Sequence, residues 1–204
     1  MANSNSWQKI FDDYNILSHD FGQGPFLITA RKIKISCQSF LTTGEKEVRI
    51  LCKQDSREDR PQVFIENGLF LLPNKNGSFY IIKGEGYIDV PEITSPIVEY
   101  KSKLDFELDI SKIGNSEMQH LDFAYASSLI RTFMDDPSLV LTIRGRKYTP
   151  KFDFFIGEQR IETQGVQTEV DAGYEGKDKV VLVEAKNATT HNTIIRHPAM
   201  ARAY

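Results

Sequence analysis

Three residue types that act together in metal-assisted hydrolysis stand at the ends of two apolar runs. Asp171 lies in VQTEVDAG, and Glu184 and Lys186 lie in KVVLVEAK. A charge at the end of a buried strand costs free energy unless another group compensates it. A divalent cation can compensate two carboxylates, because Mg²⁺ prefers hard oxygen ligands. A nearby ammonium would then stabilise charge on an anionic ester, so these residue types fit phosphodiester cleavage.

The spacing of the two runs predicts how they meet. A hairpin whose turn lies within residues 176–179 sets Asp171 opposite Glu184 and Glu169 opposite Lys186. Side chains alternate along a strand, so all four residues would share one face. Facing carboxylates lie about 5 Å apart at Cβ and repel, which either costs stability or keeps one of them protonated.

The same residues also have a purely structural explanation. Glu169 and Lys186 can form a cross-strand ion pair while Asp171 and Glu184 turn into solvent at the strand ends. The apolar run VVLV directly before Glu184 favours a functional site instead. A strand buried on both faces rarely ends in charge without a use.

The elements that must position these residues follow from the patterning. Ser116 and Gln119 have the spacing of a capping box, and the apolar positions after them predict one buried helix of about 18 residues. KLDFELDI before this helix predicts a half-buried strand. The later segments LVLTI, FDFFI, VQTEVDA and VVLVEA are candidate strands, and TTHNTIIR is a candidate short helix.

The N-terminal part predicts a different module. Trp7, Ile10, Phe11 and Tyr14 have helical spacing after Ser6, a candidate N-cap. The runs KIKIS, EVRIL, QVFIE, LFLL and FYIIK then predict strands, with Asn67-Gly68 and Asn76-Gly77 as hairpin turns. With PEITSP as a linker, we predict a β-rich module over residues 1–96, with a role in DNA recognition, and a catalytic core over residues 97–204.

Composition excludes several classes of protein. The 204 residues are 40% hydrophobic and 26% charged, which is typical of a globular chain, and the net charge of -3 excludes a uniformly basic surface. The first residues lack a basic and apolar signal sequence, and no apolar run reaches membrane-spanning length, so we expect a cytoplasmic protein. Cys37 and Cys52 lack zinc-ligand spacing and are expected to be reduced strand residues.

The order of these motifs resembles the PD-(D/E)xK nuclease superfamily, and its type II restriction endonucleases in particular. A helix with an early glutamate is followed by strands that carry Val170-Asp171 and VEAK. RGRKYTPKFDFF, VQTEVDAGYEG and the segment over residues 47–90 are also similar to those proteins, so the likeness covers roughly residues 20–195. It implies a mixed α/β (α+β) fold with a restriction-endonuclease-like core and a β-rich N-terminal module.

The resemblance also implies roles for the matching residues. Asp171 and Glu184 would ligate Mg²⁺, with Mn²⁺ as a substitute and the Ala185 carbonyl as a third ligand. Lys186 would be the catalytic lysine and Glu117 an accessory catalytic carboxylate. Glu117 also has a plain structural explanation, because the helix dipole favours an acid in the first turn. The implied activity is restriction-type, Mg²⁺-dependent hydrolysis of double-stranded DNA.

Further partners follow from the same likeness. Arg144, Arg146, Lys147 and Lys151 in IRGRKYTPK form a basic cluster that is predicted either to contact DNA phosphates from a loop or to be a solvated turn. Cutting both strands favours two active sites and hence a homodimer. A restriction enzyme is also expected to have a cognate DNA methyltransferase encoded nearby.

Two departures qualify the resemblance. Val170 stands where the motif has proline, and only 18 residues follow Lys186, including Pro198 where a helix is expected. The resemblance therefore implies a core that is truncated at its C-terminus. An alternative function for such a chain is a catalytically inactive remnant that binds DNA or a partner subunit.

Overall fold

The computed structural model describes residues 4–107, 109, 114–187 and 189–194, and the described chain forms two compact units. The first unit takes its described residues from Met1–Val90, Tyr148–Gln167 and Asn192–Tyr204, and the second from Pro91–Lys147 and Thr168–His191. Neither unit is one continuous stretch. The chain is mixed α and β, with several small sheets, which confirms the predicted class at that level.

The helices within the described ranges are α1 Ser4–Asp13, α2 Ala30–Cys37, α3 Thr43–Lys46, α4 Val48–Leu51, α5 Gln62–Glu66, α6 Glu117–Ala126 and α7 Leu129–Phe133. The strands are β1 Phe26–Thr29, β2 Leu69–Lys75, β3 Ser78–Lys83, β4 Tyr87–Asp89, β5 Val140–Tyr148, β6 Phe152–Ile156, β7 Gln159–Thr163, β8 Gln167–Glu175, β9 Val180–Val183 and β10 Asn192–Ile194.

The prediction of a β-rich N-terminal module is wrong. Residues 4–66 contain five of the helices; KIKIS, QVFIE and all of EVRIL except Glu47 lie in helices rather than strands. Helices α1, α2, α4 and α5 share one core with a three-stranded antiparallel sheet in the order β1-β3-β2. Trp7 and Phe64, both fully buried, meet edge to face in that core with ring centroids 4.8 Å apart.

Helix α2 shows why the alternating pattern misled. The Thr29 side chain accepts a hydrogen bond from the Lys32 amide and caps the helix, an interaction that no strand offers. Ile33 and Cys37 are both fully buried and lie four residues apart, which places them on one face of a helix. A capped helix with a buried stripe therefore replaces the predicted strand. Cys37 and Cys52 are free, but neither is in a strand.

Only one of the two Asn-Gly pairs is a hairpin turn. Asn76-Gly77 joins β2 to β3 as predicted, with Gly77 at φ 72°. Asn67-Gly68 instead ends helix α5, where the Asn67 side chain donates to the Val63 carbonyl. Gly68 has φ 61°, the left-handed conformation that glycine supplies just after a helix end.

A second core of the first unit covers the other side chains of β2 and β3. Phe70 and Ile82 pack there with Ile161 of the β6–β7 hairpin and with Ile194 of β10. Strand β10 pairs antiparallel with β4, setting Ile194 opposite Tyr87. The predicted helix over TTHNTIIR is therefore wrong for residues 189–194, and residues 195 and 196 lie outside the described ranges.

The predicted long helix of the second unit is two short ones. Ser116 caps α6 as expected, accepting from the Gln119 amide, but the helix ends at Ala126. Ser128 has the left-handed conformation, with φ 67°, and separates α6 from α7. Within α6, Leu121 and Ala124 are buried, so the helix is half-buried rather than surrounded. Residues 103–107 of the predicted strand KLDFELDI form no strand, and residues 108 and 110 lie outside the described ranges.

Helices α6 and α7 pack beside a sheet in the order β5-β8-β9. Strands β5 and β8 are antiparallel. The Thr149 amide donates to the Val166 carbonyl just beyond one end of the pair, and Ile143 lies beside Gly173 near the other end. Gly173 occupies the middle strand. A Cβ added there would lie 2.7 Å from the Ile143 Cβ and 2.9 Å from the Leu182 Cδ2, which is too close for ordinary packing.

Gly173→Val should therefore destabilise the second unit. The added side chain must displace neighbouring strands, and overpacking of this kind costs about 1–3 kcal/mol. Thermal denaturation followed by circular dichroism measures the effect. Thr142→Val, which places the same side chain at an exposed position of β5, should change stability by no more than about 0.5 kcal/mol. Equal stability of the two variants would contradict the close approach at Gly173.

Candidate functional site

The predicted hairpin and its register are confirmed for β8 and β9. Ala172 pairs with Val183 and Glu175 with Val180, and the Gly176 amide donates to the Lys179 carbonyl across the turn at 2.8 Å. The ladder ends at Val183. One further step in the same register sets Asp171 opposite Glu184, as the sequence predicts.

The chain beyond β9 is held to β8 by the Asp171 side chain. Asp171 Oδ2 accepts a hydrogen bond from the Ala185 amide at 2.8 Å. A carboxylate thus takes the place of the carbonyl that a continued ladder would offer. Ala185 was predicted to contribute its carbonyl to a metal, and its amide has the separate task of orienting Asp171.

Lys186 pairs with Glu184 rather than with Glu169. The Lys186 Nζ donates to Glu184 Oε1 at 2.5 Å, and these side chains are 39% and 35% exposed. Glu169 instead lies 3.6 Å from Arg146 Nε. The cross-strand pair expected from the register does not form because the ladder stops before Lys186.

Glu117, the first residue of α6, joins the same group of residues. Its Oε1 accepts from the Asn187 amide at 3.1 Å, and the Asn187 side chain donates to the Asn115 carbonyl at 2.6 Å. Asn187 therefore attaches the segment after Lys186 to the start of α6. Sequence reasoning missed Asn187, although its place directly after EAK was a usable signal.

The electrostatics show that the predicted catalytic residues are neighbours. Burial raises the pKa of Glu184 above its usual value, and the charges of Asp171 and Glu117 raise it further, while the hydrogen bond and charge of Lys186 oppose them. Asp171 lies in β8 and Glu117 in α6, so the two carboxylates that act on Glu184 come from two different elements. Glu117, Asp171, Glu184 and Lys186 therefore form one cluster, which we call the carboxylate cluster.

Lys186 is held in its charged form. Burial alone would lower its pKa, but the hydrogen bond to Glu184 and the charges of Glu184, Glu117 and Asp171 outweigh burial and raise the pKa above its usual value. The side chain is therefore an ammonium at neutral pH. It can donate hydrogen bonds and stabilise negative charge, but in this arrangement it is not a base.

The donor chemistry of the carboxylate cluster fits a hard divalent cation. Three carboxylates and one ammonium leave two excess negative charges when all are ionised, and the pKa of Glu184 is raised mainly by burial, with smaller contributions from the charges of Asp171 and Glu117. Asp171, Glu184 and the Ala185 carbonyl offer oxygen ligands of the kind Mg²⁺ takes. Within the described ranges, no three or more His, Cys, Asp or Glu side chains are arranged to hold a metal ion.

The four predicted DNA-contacting residues are divided between the two units. Arg144, Arg146 and Lys147 lie on strand β5 rather than in a loop, and they belong to the second unit. Arg144 is largely enclosed and lies 2.5 Å from Asp122 of α6, so its charge is used within the unit. Lys151 belongs to the first unit and pairs with Glu162 at 3.0 Å. Lys147 and Arg146, which pairs with Glu169, are both exposed.

Comparison with protein families identifies both halves of the chain. The sequence model of the family described as domain of unknown function (DUF6997) matches residues 82–198, more than half of the chain. The chain therefore belongs to the DUF6997 family. The model of a second domain of unknown function, DUF6996, matches residues 4–82. Neither the curated proteins nor the solved structures gave a match. In the part of the chain that is described, no helix has both the length and the apolar character needed to cross a membrane.

Asp171→Asn should lower the pKa of Glu184 toward its usual value. The substitution removes a negative charge that raises this pKa, while the asparagine oxygen can still accept from the Ala185 amide. Carboxyl-carbon NMR of the metal-free protein across pH measures the shift. Glu117→Gln should act in the same direction. Glu169→Gln, which removes a charge paired with Arg146, should leave the Glu184 titration unchanged, and an equal shift in that variant would disprove the cluster.

Proposed function

We propose that the chain is a metal-dependent endonuclease that hydrolyses phosphodiester bonds of double-stranded DNA. The observation that carries this proposal is the carboxylate cluster: Glu117 of α6, Asp171 of β8 and the Glu184–Lys186 segment come together although they are distant in sequence. The residue types are those of the PD-(D/E)xK nucleases, and the hairpin register agrees with that motif.

The hydrogen bonds of the cluster support the assignment of individual roles. Asp171 is fixed by the Ala185 amide and Glu117 by the Asn187 amide, so both carboxylates are oriented by backbone groups. Fixed side chains lower the reorganisation needed when a ligand binds. Asp171 and Glu184, with the Ala185 carbonyl, would hold Mg²⁺, or Mn²⁺ in its place. Bound there, the ion would supply a more acidic water and offset charge on the phosphate.

Lys186 acts on the phosphate as a cation. Its raised pKa keeps it protonated at neutral pH, so its ammonium can donate to a phosphate oxygen or orient the attacking water. Release from Glu184 is a condition for this role. A cation on Glu184 would weaken the Lys186 ion pair, since both compete for the same carboxylate. The charge of Glu117 also favours the ammonium form of Lys186.

Lys186→Ala should slow DNA cleavage by about 10²–10³-fold. Loss of the ammonium removes a group that stabilises transition-state charge, and such groups typically contribute about 10²–10³ in rate. The measurement is fragmentation of unmodified bacterial genomic DNA with Mg²⁺, because long DNA contains any short recognition sequence many times. Lys177→Ala, which removes an exposed lysine from the β8–β9 turn, should cut like the parent protein.

The parent protein should also stop cutting when EDTA replaces Mg²⁺. Genomic DNA that stays intact with the parent protein in Mg²⁺ and in Mn²⁺ would contradict the proposed activity. Cleavage at the parent rate in Lys186→Ala would point to another site or to a contaminating nuclease.

Mg²⁺ should raise the melting temperature of the parent protein. A ligand that binds only the folded chain adds about 2.7 kcal/mol at 100 times its Kd. Asp171→Asn removes one ligand, so the metal-induced shift should shrink, while the metal-free variant should be at least as stable as the parent because repulsion of Glu184 is relieved. Thermal melts of both proteins with Mg²⁺ and with EDTA measure this.

The metal response should depend on pH with a defined sign. Protons and metal compete for Glu184, and a raised pKa means that protonation begins at a higher pH than for an ordinary glutamate. The Mg²⁺-induced shift should therefore be present above the raised pKa of Glu184 and disappear as pH falls through it, at a higher pH than for an ordinary glutamate. A shift that is absent at neutral pH and millimolar Mg²⁺ would rule out the metal site.

A second candidate function rests on the Glu184–Lys186 ion pair. This pair neutralises one carboxylate without any metal, as a structural ion pair would. The chain would then be a restriction-like remnant that binds DNA or a partner subunit without chemistry. DNA binding without cleavage, unchanged by Lys186→Ala and by Mg²⁺, would favour this function.

A further inference from the structure

Helix α2 presents an exposed stripe that the carboxylate cluster does not use. Arg31, Lys34, Ile35 and Gln38 are spaced at i, i+3, i+4 and i+7 from the start of the helix, so they follow one face of it. With Lys46 and Glu47 at the junction of α3 and α4, they line an open groove of about 590 Å³. These six residues define what we call the α2 groove, and all of them belong to the first unit.

The three cations of the α2 groove outnumber its one carboxylate, Glu47. Elsewhere in the first unit Lys9 pairs with Asp13 and Arg160 with Asp153, each near 3 Å. Among the described residues, no carboxylate forms an ion pair with the cations of the groove, which are Arg31, Lys34 and Lys46. Residues 30–53 carry six Lys and Arg against two Glu, in a chain whose net charge is -3. The groove is thus a local positive patch on an acidic protein.

The helix that carries this patch is firmly held. Ile33 and Cys37 on its inner face are fully buried, and Thr29 caps its start. The Ala30 amide donates to the carbonyl of Gly77 at 2.9 Å, which attaches the first residue of α2 to the tip of the β2–β3 hairpin. Lys75 of that hairpin is exposed. A helix fixed in this way needs little ordering when it binds a ligand.

The dimensions and chemistry of the stripe match duplex DNA. From Arg31 to Gln38 the helix rises about 10.5 Å, and the DNA major groove is about 12 Å wide and admits an α-helix. Exposed Lys and Arg side chains suit phosphates. Gln38 can hydrogen-bond an adenine edge, and Ile35, which is 51% exposed, can contact a thymine methyl group.

We propose that the α2 groove is a DNA-docking surface, in which α2 enters the major groove while Arg31, Lys34 and Lys46 contact phosphates. The surface lies in the DUF6996 segment and is separate from the carboxylate cluster. The choice of duplex DNA over other polyanions rests on the proposed nuclease function. The charge and shape of the groove are observed independently of that function.

The test measures binding of a fluorescein-labelled duplex of mixed sequence by anisotropy, in EDTA so that no metal-dependent cleavage interferes. The groove variant carries Arg31→Gln, Lys34→Gln and Lys46→Gln. The control variant carries Lys9→Gln, Lys83→Gln and Arg160→Gln, which remove the same charges from the first unit outside the groove. The single variant Lys34→Gln covers the case in which three substitutions impair folding, which melting curves will show.

The groove variant should bind at least about tenfold more weakly than the parent. Each lost phosphate contact should also lower the slope of log K against log salt by about 0.9, hence by roughly 2.7 for three contacts. Lys34→Gln alone should lower the slope by about 0.9. The control variant should bind within about twofold of the parent, since its side chains touch no phosphate.

Three outcomes would overturn the proposal. They are no DNA binding by the folded parent protein, equal weakening in the groove and control variants, and displacement of DNA by polyglutamate at equal charge concentration. The last would mean an acidic protein or an unspecific polyanion as the occupant.

The same measurements distinguish failure of the nuclease proposal from failure of the groove proposal. Groove-dependent binding by a parent protein that never cuts DNA supports the groove and removes the nuclease. Metal-dependent cutting that is equal in the groove and control variants, with equal binding, supports the nuclease and removes the groove.

Discussion

The hydrogen bond from the Ala185 amide to the Asp171 carboxylate is the contact on which the candidate site depends. It lies just past the last backbone pair of β8 and β9, where the ladder gives no further support. A side chain, rather than the sheet, therefore sets the path of the residues that follow. Glu184 and Lys186 flank the donor amide, so the same bond places both beside Asp171. Charge and backbone geometry are linked at this single point.

The cluster built around that bond balances opposing electrostatic effects. Glu184 resists ionisation because of burial and of neighbouring carboxylates, while Lys186 is stabilised as a cation by the same carboxylates. Burial of apolar or neutral side chains at this position would have cost less free energy than burial of these charged groups. Groups whose pKa values are pushed by specific neighbours are enriched at functional sites, which agrees with the proposed chemistry without depending on the family likeness.

Parts of the fold and site that depend on local spacing could be predicted from the sequence. The register of the β8–β9 hairpin follows from its short turn, and the N-cap at Ser116 follows from side-chain chemistry within one turn of a helix. The helix α2 could not be predicted from alternation alone. Its identity depends on burial of Ile33 and Cys37 against other elements of the chain, both earlier ones such as α1 and later ones.

Only the family likeness assigned Glu117 to the site, and its contact with Asn187, 70 positions away in the chain, was not predicted. The Glu184–Lys186 pair was missed for a different reason. The strand was expected to continue through Lys186, and nothing in the letters VEAK marks its end at Val183. Patterns of period two show that a strand exists more reliably than where it stops.

The discontinuous make-up of the first unit bears on how the two family segments relate. The boundary between their matches, at residue 82, falls inside β3, and Ile82 itself is part of a buried core. That core also takes Ile161 and Ile194 from the far end of the chain. The DUF6997 segment thus supplies part of the second hydrophobic core, against which β2 and β3 of the first unit pack. Gene fusion or exchange at the boundary would leave a sheet with one bare face, so the two segments are expected to be inherited as a pair.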